Sequence, residues 1–327
     1  MLEKNRKREI SIINESDFKD IQLHDKQIIK TYLSKTKYLN SEYNFTTLYA
    51  WQEAYNIKYA IYNDCLCLVG KVDGKDYCYF PVGDDDKAYE SFVDMFKMFR
   101  KQEKDFLLVS ASERMLNILK QKDLCDCFCL EEKRDFFDYV YKREKLVTLS
   151  GKKLHGKRNH FNFFANNYKH ELVNITSENE KDCEKLFSSL IMERSESAEE
   201  ELNATLKILR NREELGMTGK CLYIEGNLSG VILAEQHHGM ALIEIAKADL
   251  NYRGAAVALF KLFLEQNFVD CEYVNFMEDL GIEGLRKAKM SYSPDMYIEK
   301  YSLDMCKDIP LTKKELDLCF ERSMLKD

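Results

Sequence analysis

The chain has 327 residues, 45% hydrophobic and 32% charged, with 3 prolines and 13 glycines. At roughly 150 residues per domain the length suggests two domains, and the composition excludes a disordered, collagen-like or linker-rich chain. The 49 basic and 56 acidic side chains leave a net charge of −7, which argues against a general nucleic-acid coat but leaves room for a local basic patch. The most apolar stretches, 65–70 and 255–260, fall short of the roughly 20 residues of a spanning helix. The charged start of the chain does not read as a secretory signal, so a cytoplasmic protein without a transmembrane segment is expected.

Taken in order, alternating apolar runs predict strands at 9–13, 58–62, 65–72, 77–82, 106–110 and 136–141. Between them, helical spacing predicts helices at 25–34, 45–55, 87–101 and 111–120. The second half predicts a strand at 171–175, a long helical region over 180–212 and strands at 221–225, 230–237 and 241–246. A helix at 253–267, a strand at 273–276, a helix at 282–290 and a strand at 296–303 complete it. The two halves repeat one rhythm, β-α-α-β-β-β-α-β-α-β, which suggests a duplicated α/β (α+β mixed-sheet) fold. The divisions are 1–148, a basic interdomain helix over 149–168, and 169–327.

The eleven cysteines contain no C-x-x-C pair. Cys65/Cys67 and Cys125/Cys127/Cys129 alternate, which on a strand makes them small buried apolar groups. No metal site is expected. His237-His238 reads as a strand end open to water.

The segment from Lys142 to His170 carries 8 Lys/Arg against one acid, Glu144. As a helix from about 152 it gathers Leu154, Phe161, Phe164 and Ala165 into an apolar stripe, with Lys153, Lys157 and His160 on another face and Arg158 adjacent. Such a face is either solvated or an anion site for phosphate, RNA backbone or a lipid headgroup, and its single sign favours the second.

Three segments carry a family resemblance: Ser41–Trp51, Gly151–Asn162, and Glu278-Asp279-Leu280-Gly281 with Gly284–Lys289 and Tyr292-Ser293-Pro294. Together they resemble the soluble family built on the catalytic C-terminal domain of phosphatidylglycerol lysyltransferase. The resemblance implies two tandem GNAT-like (acyl-CoA N-acyltransferase) domains, as in the Fem aminoacyltransferases. It also implies an acyl or aminoacyl donor that is not tightly bound, either aminoacyl-tRNA or acyl-CoA. The acceptor is a small molecule or lipid headgroup, and tRNA is a candidate partner.

In that fold the loop after the fourth strand meets the donor pyrophosphate, which here is Arg253-Gly254-Ala255-Ala256-Val257-Ala258, with Ala256 where the motif has glycine. The following helix also reads as simple core. Glu278 and Asp279 follow the next strand, where donor and acceptor converge, as base or, for Asp279, as helix cap. Glu244, between Ile243 and Ile245, is a further candidate base, facing either the cleft or solvent. Arg286 is a candidate phosphate clamp, and Tyr292 a proton donor to the leaving group or a core ring. The function expected is acyl or aminoacyl transfer to an amine or hydroxyl by direct attack. The alternative is a non-catalytic binding module for tRNA or another phosphorylated ligand.

Overall fold

The computed structural model describes residues 13–305, apart from 73, 103, 105, 123–127 and 193–197. The strand expected at 9–13 therefore lies outside the described residues, save Ile13, as do Cys125 and Cys127.

The first half runs β1 (Lys19–Asp20), α1 (Lys26–Leu33), α2 (Phe45–Trp51), β2 (Lys58–Tyr62), β3 (Cys65–Val72), β4 (Lys75–Tyr79), α3 (Asp85–Lys101), β5 (Leu107–Ala111), α4 (Glu113–Gln121) and β6 (Phe128–Glu132). Next come β7 (Asp138–Lys142), α5 (Arg143–Thr148) and α6 (His155–Asn167). The second half follows with β8 (His170–Asn174), α7 (Glu180–Met192), α8 (Ala198–Arg210), α9 (Arg212–Leu215), β9 (Thr218–Ile224), β10 (Asn227–His237) and β11 (Met240–Ala248). It ends with α10 (Ala255–Gln266), β12 (Tyr273–Asn275), α11 (Glu283–Met290), β13 (Met296–Ile298) and β14 (Tyr301–Met305). The helical region expected over 180–212 consists of three helices.

Local chemistry explains the elements. The β2–β3 and β10–β11 hairpins turn on two residues with positive φ, Asn63-Asp64 and His238-Gly239, the conformation that suits the strands' twist. Asp84 caps α3 by accepting from the Asp86 amide at 3.2 Å, and Arg100 and Lys101 close its last turn. Its buried face sets Phe92, Phe96 and Phe99 against Phe106, with the Phe96 and Phe106 rings 4.9 Å apart. Each such side chain contributes about 1.5–3 kcal/mol on burial. Cys65 and Cys67 are buried free thiols in this core, as their alternation suggested, whereas Cys129 is exposed.

Among the described residues the strands form two seven-stranded sheets, in the orders β1-β2-β3-β4-β5-β14-β6 and β8-β9-β10-β11-β12-β7-β13. Position for position the orders correspond, so the repeated rhythm is a repeated topology. In each sheet one parallel pair, β4 with β5 or β11 with β12, holds for two residues of register. A long helix connects its strands. β11 continues to Ala248 after β12 has ended at Asn275, which leaves an opening between them.

The sixth place in each sheet is filled from the other half. β7 leaves the first half to lie between β12 and β13, and β14 leaves the second to lie between β5 and β6. This exchange runs across the division expected at 148, and it cuts the strand expected at 296–303 in two at Glu299-Lys300. The two crossings touch: the Lys133 amide donates to the Lys300 carbonyl at 2.9 Å, and the Lys300 ammonium lies 2.6 Å from Asp138. One core also continues from the first sheet onto Cys183, Phe187, Leu209 and Val231 of the second half.

Candidate functional site

The seam between the halves is built around carboxylates. Asn44 starts α2 with its side-chain oxygen accepting from the Thr46 amide at 3.2 Å. Its amide nitrogen donates across the seam to Glu235 at 3.1 Å and to Glu244 at 3.2 Å. Thr47 adds a 3.0 Å hydrogen bond to Glu244, and Lys30 an ion pair of 3.2 Å to Glu235. Glu244 is the extra residue of a β-bulge: Ile243 and Ile245 pair with consecutive residues of β10, and Glu244 has no partner there. Two residues beyond the last pair of β11 with β12, this carboxyl meets Asn44 and Thr47 of the first half. Burial and the adjacent Glu235 hold it well above the ordinary carboxylate range.

A second group sits where the exchanged strands cross. Asp138 accepts from Lys300 at 2.6 Å, from the Ser41 amide and hydroxyl at 2.9 Å each, and from Asn275 at 3.1 Å. Lys300 also reaches Glu42 at 2.7 Å and lies 3.6 Å from Glu278. Burial works against the Lys300 charge, but Asp138, Glu42 and Glu278 outweigh it and keep the ammonium protonated. Glu42, half-buried beside these carboxylates, is pushed up to about 7.

A recess of about 320 Å³ lies at the start of α10, lined by Lys157, His160, Tyr252, Arg253, Gly254 and Ala256 among others. Lys157 stacks its ammonium 3.9 Å over the Tyr292 ring, and burial lowers it to about 8. Arg253 lies over the Phe163 ring at 4.5 Å. The corresponding place in the first half is acidic: Asp84, Asp85 and Asp86 start α3, which disfavours an anion there. The two halves therefore divide the labour, with the recess in the second and the seam side chains of α2 in the first.

The structure brings Lys157, His160, Arg253 and Gly254 together at the recess, and Glu244 and Glu278 at the seam. It separates others. Lys153 is exposed in the turn before α6, and Arg158 is spent on the Leu149 and Gly151 carbonyls at 2.5 and 3.4 Å. Arg286 clamps Asp279 with two nitrogens at 2.9 and 2.7 Å and reaches Asp135, so it is no free phosphate clamp. Asp279 is fully buried and also accepts from Tyr139 and from the Gly281 amide. Burial opposes its charge, but Arg286 and Tyr139 outweigh this and hold it below the ordinary range, which suits an anchor and not a base.

That anchor has a pH signature. A lowered folded value gives stability that is complete above the ordinary 3.8 and is lost as the pH falls through the folded value. Thermal melts of the native chain and Arg286→Ala should therefore converge as the pH is taken from 7 to 3. Curves that stay parallel would remove the pair from the account.

Tyr292 is buried among Tyr141, Phe260 and Phe276, and burial raises its phenol. His237, expected at a wet strand end, is buried. Sequence reasoning missed Asp138 and Glu235 as site residues, although each is the only acid of its strand and directly follows an apolar run, Phe136-Phe137 or Val231–Ala234. It also missed Glu42, Asn44 and Thr47 as side chains of the seam.

Two units of one topology, each with a parallel pair that opens beyond a connecting helix, define a tandem GNAT-like acyltransferase fold. The comparisons carry this to a family. The sequence profile described as phosphatidylglycerol lysyltransferase, C-terminal, matches residues 34–304, and the chain belongs to that family. A conserved protein of unknown function from Bacteroides thetaiotaomicron is 30% identical with a TM-score of 0.82, over 88% of this chain and 99% of that one. L-PGS from Bacillus licheniformis shares the fold with a TM-score of 0.61 and 14% identity, over 91% of this chain and 96% of its own. An uncharacterized protein of Mycoplasmoides gallisepticum is 27% identical over 170 residues, 50% of this chain, so the match spans only 54% of that relative's length. No helix among the described residues is long and apolar enough to cross a membrane.

Proposed function

We propose that the chain is an acyl- or aminoacyltransferase of the phosphatidylglycerol lysyltransferase C-terminal type, moving an acyl group from an ester or thioester donor to an amine or a hydroxyl. The observation that carries this reading is Glu244, a carboxyl held above its ordinary range on the bulge of β11, two residues beyond the last pair with β12, and gripped by Asn44 and Thr47 of the first half. The acceptor nitrogen or hydroxyl oxygen attacks the donor carbonyl, the new C–N or C–O bond forms, the donor's C–O or C–S bond breaks, and Glu244 takes the attacking atom's proton. Lys157, His160 and Arg253 hold the donor's phosphates at the recess, whose lysine is half-discharged near pH 8 and whose backbone offers the start of α10. Tyr292, kept protonated by burial, stands under Lys157 as a hydrogen-bond donor to that end of the donor. The family's description supports an aminoacyl donor, with aminoacyl-tRNA ahead of acyl-CoA because Ala256 puts a methyl group where a bare backbone suits a pyrophosphate.

The test is turnover of the full chain with acetyl-CoA or lysyl-tRNA as donor and a small amine or phosphatidylglycerol vesicles as acceptor. Glu244→Gln should lower kcat about 10²–10⁴-fold and leave donor binding intact, whereas Lys157→Ala should raise the donor KM. Salt-sensitive tRNA binding without turnover in any combination would favour the binding-module reading instead.

A further inference from the structure

Three carboxylates, Asp138, Glu42 and Glu278, surround the single ammonium of Lys300. Its three hydrogens are accounted for by Asp138 at 2.6 Å, Glu42 at 2.7 Å and the Ser41 hydroxyl at 3.1 Å. Ser41 has one hydrogen and gives it to Asp138 at 2.9 Å, since Glu42 and Glu278 are further off at 3.4 and 3.5 Å. Glu278 is therefore left facing Glu42 across Ser41 with no short donor of its own. The exposures differ in a telling way: Asp138 and Lys300 are at 0% and 1%, while the Glu42 and Glu278 side chains are each at 19% and reach the open seam. Glu278 also has the Lys289 ammonium within electrostatic reach, whereas Glu42 has only the already engaged Lys300 and sits beside Asp138 and Glu278, so charge on Glu42 is the costly one.

We propose that Glu42, from the first half, carries a proton beside Asp138 and Glu278 and supplies it to the departing group of the acyl transfer, making Glu42 a catalytic residue. This rests on the acyl-transfer reading. The proton inventory closes: Glu244 takes one from the attacking nitrogen or hydroxyl, Glu42 gives one to the departing oxygen or sulfur, and solvent returns the proton from the first site to the second. The groups facing Glu42 are Lys300, Asp138, Glu278 and Ser41, with the Tyr43, Tyr77 and Tyr79 phenols within electrostatic reach, and Glu278 is in turn within reach of Lys289 and Glu244. Of the groups facing Glu42 only Lys300 is a cation, and burial together with Asp138 and Glu278 accounts for the raised Glu42 carboxyl.

The experiment is a pH titration of the full chain carrying ¹³C-carboxyl glutamate, read by NMR, with Glu42→Gln and Glu278→Gln used for assignment. Glu42 should titrate near 7, and Glu278→Gln should move its midpoint down by about one pH unit. A Glu42 midpoint in the ordinary carboxylate range, or one indifferent to Glu278→Gln, overturns the proposal. The titration needs neither donor nor acceptor, so it decides the Glu42 proton separately from the acyl-transfer reading. Where turnover is measurable, Glu42→Gln should lower kcat about 100-fold with KM kept; Glu42→Asp should keep part of the rate. A Glu42→Gln variant with kcat within twofold of native would also overturn the role. Should Glu42→Gln not fold, the midpoint shift in Glu278→Gln still decides.

Discussion

Lys300→Met is expected to remove about 3–5 kcal/mol of stability, a fall on the order of 10 °C in Tm for a chain of this size. The methionine fills much the same space, so the loss is electrostatic. Asp138 is fully buried and loses its shortest hydrogen bond, keeping Ser41 and Asn275 as neutral donors. Glu42 and Glu278 lose the only cation within 4 Å that the described residues give them. The cost belongs to the uncompensated charge, not to the pair as such, because a buried ion pair gains little net energy over apolar replacements. Adding Asp138→Asn to Lys300→Met should therefore restore part of the loss. Urea unfolding of the single and double variants checks both statements. A single variant within 1 kcal/mol of native would show that solvent reaches Asp138 freely.

Gly254→Ala carries the second large effect, about 4 kcal/mol. Gly254 has φ +91°, where a side chain costs about 1–3 kcal/mol. Its Cβ would also stand 2.3 Å from the His160 carbonyl oxygen and 3.0 Å from the Phe164 Cβ. Those atoms belong to the body of α6 and cannot swing aside, so the helix itself must move, adding about 1–3 kcal/mol. The glycine that sequence reading placed at a phosphate is needed first for helix packing. Gly156 supplies the control. It lies in α6 with nothing within 4 Å of an added Cβ, so Gly156→Ala should stabilise by up to about 1 kcal/mol. Thermal melts of the two variants should move in opposite directions, and a neutral Gly254→Ala would show that α6 is not tightly seated.

How far the sequence reveals this molecule depends on the range of the interaction. The alternation of Cys65–Val72 and Gly230–His237 and the apolar α10 are local signals, and the repeated topology follows from them. The strand exchange left no such trace. In residues 296–303 the apolar phase shifts at Glu299-Lys300, from Met296 and Ile298 to Tyr301 and Leu303, but a phase shift marks only a break in the strand and does not say that Ile298 and Tyr301 join different sheets. Glu244 was legible because a carboxylate between two isoleucines is conspicuous. Its partners Asn44 and Thr47 lie 200 and 197 residues away, beyond any periodicity. Arg286 was misjudged for the opposite reason: its true partner, Asp279, is only seven residues off. One turn of helix begins between them, and that spacing pairs a strand-end acid with a helix base more readily than with a ligand.

The exchange of β7 and β14 also sets an order in time. A ribosome delivers β5 and β6 long before β14, so the first sheet waits with a gap in its sixth place for some 170 further residues, on the order of 10 to 30 seconds of synthesis. Until Tyr301–Met305 arrives, the facing edges of β5 and β6 keep unpaired amides and carbonyls. The nascent first half is thus an incomplete sheet for most of translation. Among the described residues, the sheet of the first half is completed only by a strand of the second, so the two halves share one closing step.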